Sequence, residues 1–137
     1  MTIEQTFEAL FKLVQELDEE ESRAVREGLD EESLAIFDLI KKPDLNSADI
    51  KRIKKVAAEL LARLKAEKLS IDHWRDKEST RDAVRVTIHD YLWSDNTGLP
   101  VDVYTDDDVN ERAEDVFRHV YRAYPILPSP FYLSSVV

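Results

Sequence analysis

Hydrophobic residues recur every three or four positions through most of the 137-residue chain, which is the spacing of amphipathic helices. The clearest set contains Ile50, Ile53, Val56, Ala57, Leu60, Leu61 and Leu64. A second set, nearer the C-terminal end, contains Val109, Ala113, Val116, Phe117, Val120, Tyr121 and Tyr124. The pattern predicts an all-α fold, a compact bundle of about five helices, in a single domain over residues 1–137.

The first two helices are separated by a glycine. Apolar residues at helical spacing over residues 3–17 predict the first helix, and the acidic run Asp18–Glu21 continues it toward Gly28. Gly28 is a natural C-cap because glycine adopts the left-handed conformation at low cost. Asp30 is then the predicted N-cap of the second helix, which is expected to stop near Pro43.

Later breaks divide the rest of the chain. Either Asn46 or Ser47 can cap the third helix. A connector over residues 69–74 follows, in which Ile71 and Trp74 are expected to turn back to the core, and the fourth helix is predicted from about Asp76 to Trp93. Residues 94–100 contain a glycine and a proline and form a clear break.

Two segments are expected to be extended. Residues 101–104 alternate apolar and polar side chains like a short strand, although a strand this short needs partners to form a sheet. Thr105 is the predicted N-cap of the last helix, and Pro125 is expected to end that helix. The proline-rich tail, residues 125–137, is predicted to be extended.

The fourth helix carries a basic ridge. Lys77, Arg81 and Arg85 recur every four residues and share one helix face, with Arg75 just before them. The simplest interpretation is a solvated face paired with Glu78, Asp82 and the acidic first helix. The alternative is a docking surface for an acidic partner, since arginine forks bind carboxylates well.

Charge is distributed unevenly along the chain, whose net charge is −10. Residues 1–40 contain 12 acidic and 3 basic side chains, whereas residues 51–85 contain 11 basic and 6 acidic ones. Nucleic-acid-binding domains normally present a net basic face, so the overall balance disfavours long-range attraction to DNA. A local basic surface over residues 51–85 remains open.

Candidate catalytic chemistry is sparse. The chain has no cysteine, which excludes thiolate sites and disulfides, and it has no glycine-rich phosphate loop. Asp72, Asp76, Lys77 and Glu78 have the residue types of a metal-dependent nuclease but lie at a predicted helix start, where solvated charges are the usual outcome. Residues 106–108 are three adjacent aspartates, better explained by a capped helix than by a calcium loop. No catalytic, cofactor or metal site is predicted, and no apolar run is long enough to cross a membrane.

Three aromatic residues complete the interaction candidates. Trp74 serves either as a core anchor or as an interface hot spot, because an indole can do both. Phe131 and Tyr132 in the tail either fold back on their own domain or insert between subunits. The predicted partner-binding residues are therefore Trp74, Arg75, Lys77, Arg81, Arg85, Phe131 and Tyr132.

Several of these segments together resemble a known family. They are Ile71–Leu92, the glycine-led acidic segment Gly28–Ile40, the pairs Leu99–Pro100 and Tyr104–Thr105, the run Val116–Pro125 and the tail Pro128–Tyr132. In combination they resemble the C-terminal region of the R (restriction, motor) subunit of type I restriction-modification enzymes. The matches span most of residues 28–132, and none of them is a catalytic signature.

The resemblance implies a division of labour. In that family the nuclease and the ATP- and magnesium-dependent motor lie in other domains of the R subunit, and the C-terminal domain attaches the subunit to the methyltransferase core of M and S subunits. The chain would then be a cytoplasmic, non-catalytic assembly domain that meets DNA only through the whole enzyme. Two alternatives stay open: a free-standing helical adaptor, and a DNA-contacting helical module that uses residues 51–85.

Overall fold

The computed structural model describes residues 23, 24, 26–95 and 98–133. Its α-helices are α1 (Glu31–Ile40), α2 (Ser47–Glu67), α3 (Glu78–Trp93), α4 (Asp106–Ala123) and α5 (Pro130–Leu133), with a 3₁₀ turn at Trp74–Asp76. No strand occurs among the described residues, and the predicted all-α fold is confirmed. The predicted helix over residues 3–17 lies outside this part of the chain.

Side-chain caps fix the starts of the three helices for which they were predicted. Asp30 and Asn46 each accept a hydrogen bond from the backbone amide three residues later, at 2.6 and 2.8 Å, so Asn46 and not Ser47 caps α2. Thr105 and Asp108 form a capping box at the start of α4, with hydrogen bonds of 3.0 and 3.1 Å. Each cap satisfies a free backbone amide of the first turn, typically worth about 1 kcal/mol.

Gly28 turns the chain between the helical residues before it and α1. Its φ angle is +75°, in the left-handed region that glycine adopts most easily. The amide of Leu29 donates to the carbonyl of Ala24 at 2.9 Å across this turn. The predicted C-cap at Gly28 is confirmed.

The core forms where the predicted apolar faces meet. Helix α1 packs against α2 and α4, and α3 packs against α4 and less extensively against α2. The largest fully buried side chains are Trp74, Tyr124, Leu34, Ile36, Ile40, Ile53, Leu60, Leu64, Leu69, Ile88, Leu92 and Val84. Burial of each aliphatic side chain in this set stabilises the fold by roughly 1.5–3 kcal/mol before entropy is counted.

The strand predicted at residues 101–104 is wrong. These residues form a turn, in which the amide of Tyr104 donates to the carbonyl of Pro100 at 3.0 Å. Val101 is 73% exposed, whereas Tyr104 is buried and its hydroxyl donates to the carbonyl of Ile40 at 2.5 Å. The apparent alternation therefore reflects a single anchor in a loop and not a pleated strand.

The connector before α3 brings only one of its two predicted residues to the core. Trp74 is fully buried, as predicted, but Ile71 is 40% exposed. His73, between them, has a φ angle of +55°, so the chain reverses sharply just before Trp74. This reversal directs the indole inward and leaves Ile71 on the surface.

The tail was predicted to be extended, and this prediction is wrong for its described residues. Pro130–Leu133 forms the short helix α5, and the peptide bond between Leu127 and Pro128 is cis. Ser129 is buried and donates a hydrogen bond from its hydroxyl to the carbonyl of Ala123. This hydrogen bond holds the tail against the end of α4. Residues 134–137 lie outside the described part of the chain.

Candidate interaction surface

Helices α3 and α4 lie antiparallel, and polar contacts join them along their exposed edge. The indole nitrogen of Trp93 donates to Asn110 Oδ1 at 3.3 Å near one end. Further along, His89 Nε2 lies 3.2 Å from Glu114 Oε1. The C-terminal end of α3 therefore lies beside the N-terminal part of α4.

Arg85 binds α4 at the middle of this edge. Its Nε lies 3.5 Å from Glu114 Oε1, and its guanidinium lies over the Phe117 ring, 4.5 Å from the ring centre. The predicted pairing of the ridge with Glu78, Asp82 and the first helix does not describe Arg85, because its carboxylate and its aromatic partner both come from α4. The side chain remains 46% exposed and can still meet a partner.

Arg75 makes the corresponding contact near the other end of α4. Its Nη1 donates to the carbonyl of Tyr121 at 2.9 Å, and its guanidinium lies 5.1 Å from the centre of the Tyr121 ring. Arg81 Nη1 in turn donates to the carbonyl of Arg75 at 2.8 Å. Lys77 precedes α3 with an exposed side chain. The basic ridge is thus partly anchored to α4.

We call this edge the α3/α4 seam. It consists of Arg75, Arg85, Val86, His89, Trp93, Asn110, Glu114, Phe117 and Tyr121. Three of its apolar side chains are exposed: Val86 (55%), Trp93 (42%) and Tyr121 (40%). Arginine and aromatic side chains that are held in place yet accessible are the residue types that dominate protein interfaces. The seam therefore has the chemistry of a docking surface for a protein that presents carboxylates and apolar side chains.

Of the seam residues, the sequence singled out Arg75 and Arg85 as partner-binding candidates, and it did not single out the α4 side. Glu114, Phe117 and Tyr121 recur at spacings of three and four, so they share one helix face. Tyr121 was expected on the buried face of the last helix, and its 40% exposure differs from that expectation. Spacing signalled that these residues lie together, but not that α3 would place arginines over them.

Of the two roles considered for Trp74, core anchor or interface hot spot, the structure shows the core anchor. It is fully buried, its indole nitrogen donates to the carbonyl of Tyr124 at 2.7 Å, and its ring meets Tyr121 edge-on with 6.1 Å between centres. An inaccessible side chain cannot contact a partner directly. Trp74 instead supports Tyr121 from beneath the surface.

The tail residues have different environments. Tyr132 is half-buried and its hydroxyl lies 3.2 Å from His119 Nε2, whereas Phe131 is 58% exposed. Burial, with a smaller contribution from the Arg122 charge, lowers the pKa of His119. Asp115, one helical turn before His119, binds Arg118 at 2.5 Å.

The acidic residues considered as metal ligands do not converge in the described part of the chain. No group of three or more histidine or acidic side chains there could hold a metal ion. Asp108 is engaged by Lys42 at 2.7 Å, and the ammonium group lowers the pKa of this carboxyl to about 2, helped by the Thr105 amide. No helix among the described residues is both long and apolar enough to cross a membrane.

Comparison with known proteins identifies the family. The model of the family described as "Type I restriction enzyme HindI endonuclease subunit-like, C-terminal" matches residues 1–123, which is most of the chain and includes the whole α3/α4 seam. No curated protein and no solved structure matches significantly. The resemblance drawn from Gly28–Ile40 and Ile71–Leu92 is confirmed at the level of the family. The chain belongs to the family of C-terminal domains of type I restriction enzyme endonuclease subunits.

Proposed function

We propose that this chain is a non-catalytic assembly domain that anchors the nuclease and translocase subunit of a type I restriction enzyme to the methyltransferase core of M and S subunits. The observation that carries the proposal is the α3/α4 seam. There, Arg75 and Arg85 stack on α4 aromatic rings while exposed Val86, Trp93 and Tyr121 flank them. The family membership supplies the context of a restriction enzyme subunit.

The seam is suited to a protein partner because its groups are already ordered. Arg75 is held by a carbonyl hydrogen bond and an aromatic face, so little side-chain entropy remains to be lost on binding. Arginine also binds a carboxylate through two parallel hydrogen bonds. A partner that presents acidic and apolar side chains would complete an interface of ordinary size, roughly 1,200 Å² or more.

The charge balance supports a protein partner over DNA. The net charge of −10 repels a phosphate backbone at long range, and Glu114 places a carboxylate in the centre of the seam. DNA would then be bound by the assembled enzyme. Under this proposal ATP and magnesium act in the other domains of the subunit, and the complex works in the cytoplasm.

The test is a binding titration of the full 137-residue chain against purified M and S subunits. We expect Arg85→Gln to weaken binding at least about tenfold, the usual effect of removing a central charged contact. The control is Arg63→Gln, which removes the same charge from an arginine of α2 that is 54% exposed and paired within its own helix. Wild-type chain that binds no methyltransferase at low salt, or equal losses in both variants, would refute the proposal.

The same titration with duplex DNA separates the principal alternative. A DNA-contacting module predicts tight binding of the isolated chain to DNA, with an affinity that falls steeply as salt rises. The assembly domain predicts weak binding to DNA and retained binding to the M and S core. Steeply salt-dependent DNA binding without methyltransferase binding would replace the present proposal.

A further inference from the structure

A second surface lies between α1 and α4 and shares no residue with the seam. It is a cleft of about 300 Å³ lined by Leu39, Asp115, Arg118, His119 and Arg122. The four residues from α4 follow helical spacing and form one face, while Leu39 supplies an apolar wall from α1. We call it the α1/α4 cleft.

The cleft concentrates positive charge in an acidic region. Residues 86–137 contain nine acidic and three basic side chains, and two of the three, Arg118 and Arg122, line the cleft. Asp115 engages one edge of Arg118 through Nη2, yet the Arg118 side chain remains 69% exposed. Arg122 is exposed in the last turn of α4. Among the residues that line the cleft, two arginines thus accompany one carboxylate, that of Asp115.

The side chains beside these arginines, His119 and Tyr132, are aromatic, and the carboxylates of Asp30, Glu31 and Glu32 at the start of α1 act electrostatically on Tyr132. His119 and Tyr132 share a hydrogen bond of 3.2 Å, and the two rings meet edge-on. Burial lowers the pKa of His119 and raises that of Tyr132 to about 12, so both groups are neutral near pH 7. Phe131, 58% exposed, packs edge-on against Tyr132 with 5.1 Å between ring centres. An apolar surface therefore continues outward from the cleft.

We propose that the α1/α4 cleft binds a short acidic segment of a partner protein, with a carboxylate on Arg118 and Arg122 and a neighbouring apolar side chain against Phe131. A cleft of about 300 Å³ accommodates one or two side chains, at the lower limit of small-ligand pockets. The acidic surroundings repel a polyanion such as DNA, whereas a single carboxylate meets mainly the two guanidinium groups. The proposal does not depend on where the methyltransferase core binds.

The test follows the His119 ring and the arginine side-chain N–H groups by NMR. The full chain is titrated with a blocked glutamate-phenylalanine-glutamate tripeptide, and separately with its glutamine-phenylalanine-glutamine analogue and with inorganic phosphate. We expect saturable shifts at His119 and Arg122 with the acidic tripeptide only. Arg122→Gln should weaken binding about tenfold, the effect of one charge-assisted contact. Arg63→Gln, an equal change in charge outside the cleft, should leave binding unchanged.

Each other outcome rejects the proposal in a distinct way. Equal binding of the glutamine analogue would show that the carboxylate is not recognised. Phosphate binding as tight as that of the tripeptide would indicate a generic anion site. A duplex oligonucleotide that displaces the tripeptide would assign the cleft to nucleic acid. No saturable shift at His119 or Arg122 with the acidic tripeptide would mean that the arginines are only a solvated face.

Discussion

The two tryptophans provide a matched test of how this fold is stabilised. Trp74 is fully buried and its indole nitrogen donates to the carbonyl of Tyr124 at 2.7 Å. Trp93 is 42% exposed and its indole nitrogen donates to Asn110 at 3.3 Å on the surface. Replacing either one with phenylalanine removes the same atoms from opposite environments. The difference between the two variants therefore isolates burial.

The expected cost of Trp74→Phe has two parts. Loss of the indole donor leaves the Tyr124 carbonyl without this partner inside the core, which costs about 1–3 kcal/mol. The smaller phenyl ring leaves a void that adds about 1 kcal/mol or more. The free energy of unfolding should thus fall by roughly 2–4 kcal/mol. Trp93→Phe should cost less than about 1 kcal/mol because water replaces its hydrogen bond.

Urea unfolding followed by far-UV circular dichroism measures both variants at one pH. We expect the Trp74→Phe midpoint to fall with an unchanged slope, which would indicate lost stability without a change in the surface exposed on unfolding. Equal destabilisation by the two substitutions, within about 0.5 kcal/mol, would refute the reasoning. It would mean that the indole of Trp74 is not the buried anchor between the connector and α4.

Two further measurements address the backbone and the charges. Gly98→Ala should lower the free energy of unfolding by about 1–3 kcal/mol, because the added Cβ would lie 2.3 Å from the carbonyl oxygen of Leu92. Gly28→Ala meets no neighbouring atom and should cost only about 1 kcal/mol, the strain of an alanine at a φ of +75°. A larger loss of thermal stability in Gly28→Ala than in Gly98→Ala would contradict this. The Lys42 ammonium lowers the pKa of Asp108 from 3.8 to about 2, so the stability it contributes is complete above about pH 4 and is lost as the pH falls toward 2. Asp108→Asn should make the urea midpoint depend less on pH over that range. A midpoint that depends on pH as steeply as in the wild type would rule out the linkage.

The caps show what local sequence can predict. Asp30 and Thr105 cap the helices for which they were predicted, because a cap depends on residues within one turn of each other. The helical residues before Gly28 end there for an equally local reason, because Gly28 adopts a left-handed φ. Periodicity likewise identified the buried faces of α2 and most of that of α4.

Local sequence patterns gave less reliable predictions where a residue's contacts depend on a distant part of the chain. Residues 101–104 alternate like a strand, yet no neighbouring strand exists among the described residues to pair with them. Asp115 stands one turn from both Arg118 and His119; it binds Arg118, while the imidazole of His119 contacts the Tyr132 hydroxyl. Spacing specifies which residues could contact each other, but the tertiary fold decides which of these contacts forms.

The sequence by itself determined the helical class, the side-chain caps of α1, α2 and α4, and the basic ridge, because each depends on contacts within a few residues. Only the tertiary structure decided how that ridge is used. Antiparallel packing of α3 on α4 places Arg85 over Phe117 and Arg75 over Tyr121, and the folded tail brings Tyr132 to His119. Which faces meet depends on burying the apolar area of the whole chain at once, and no local spacing contains that information.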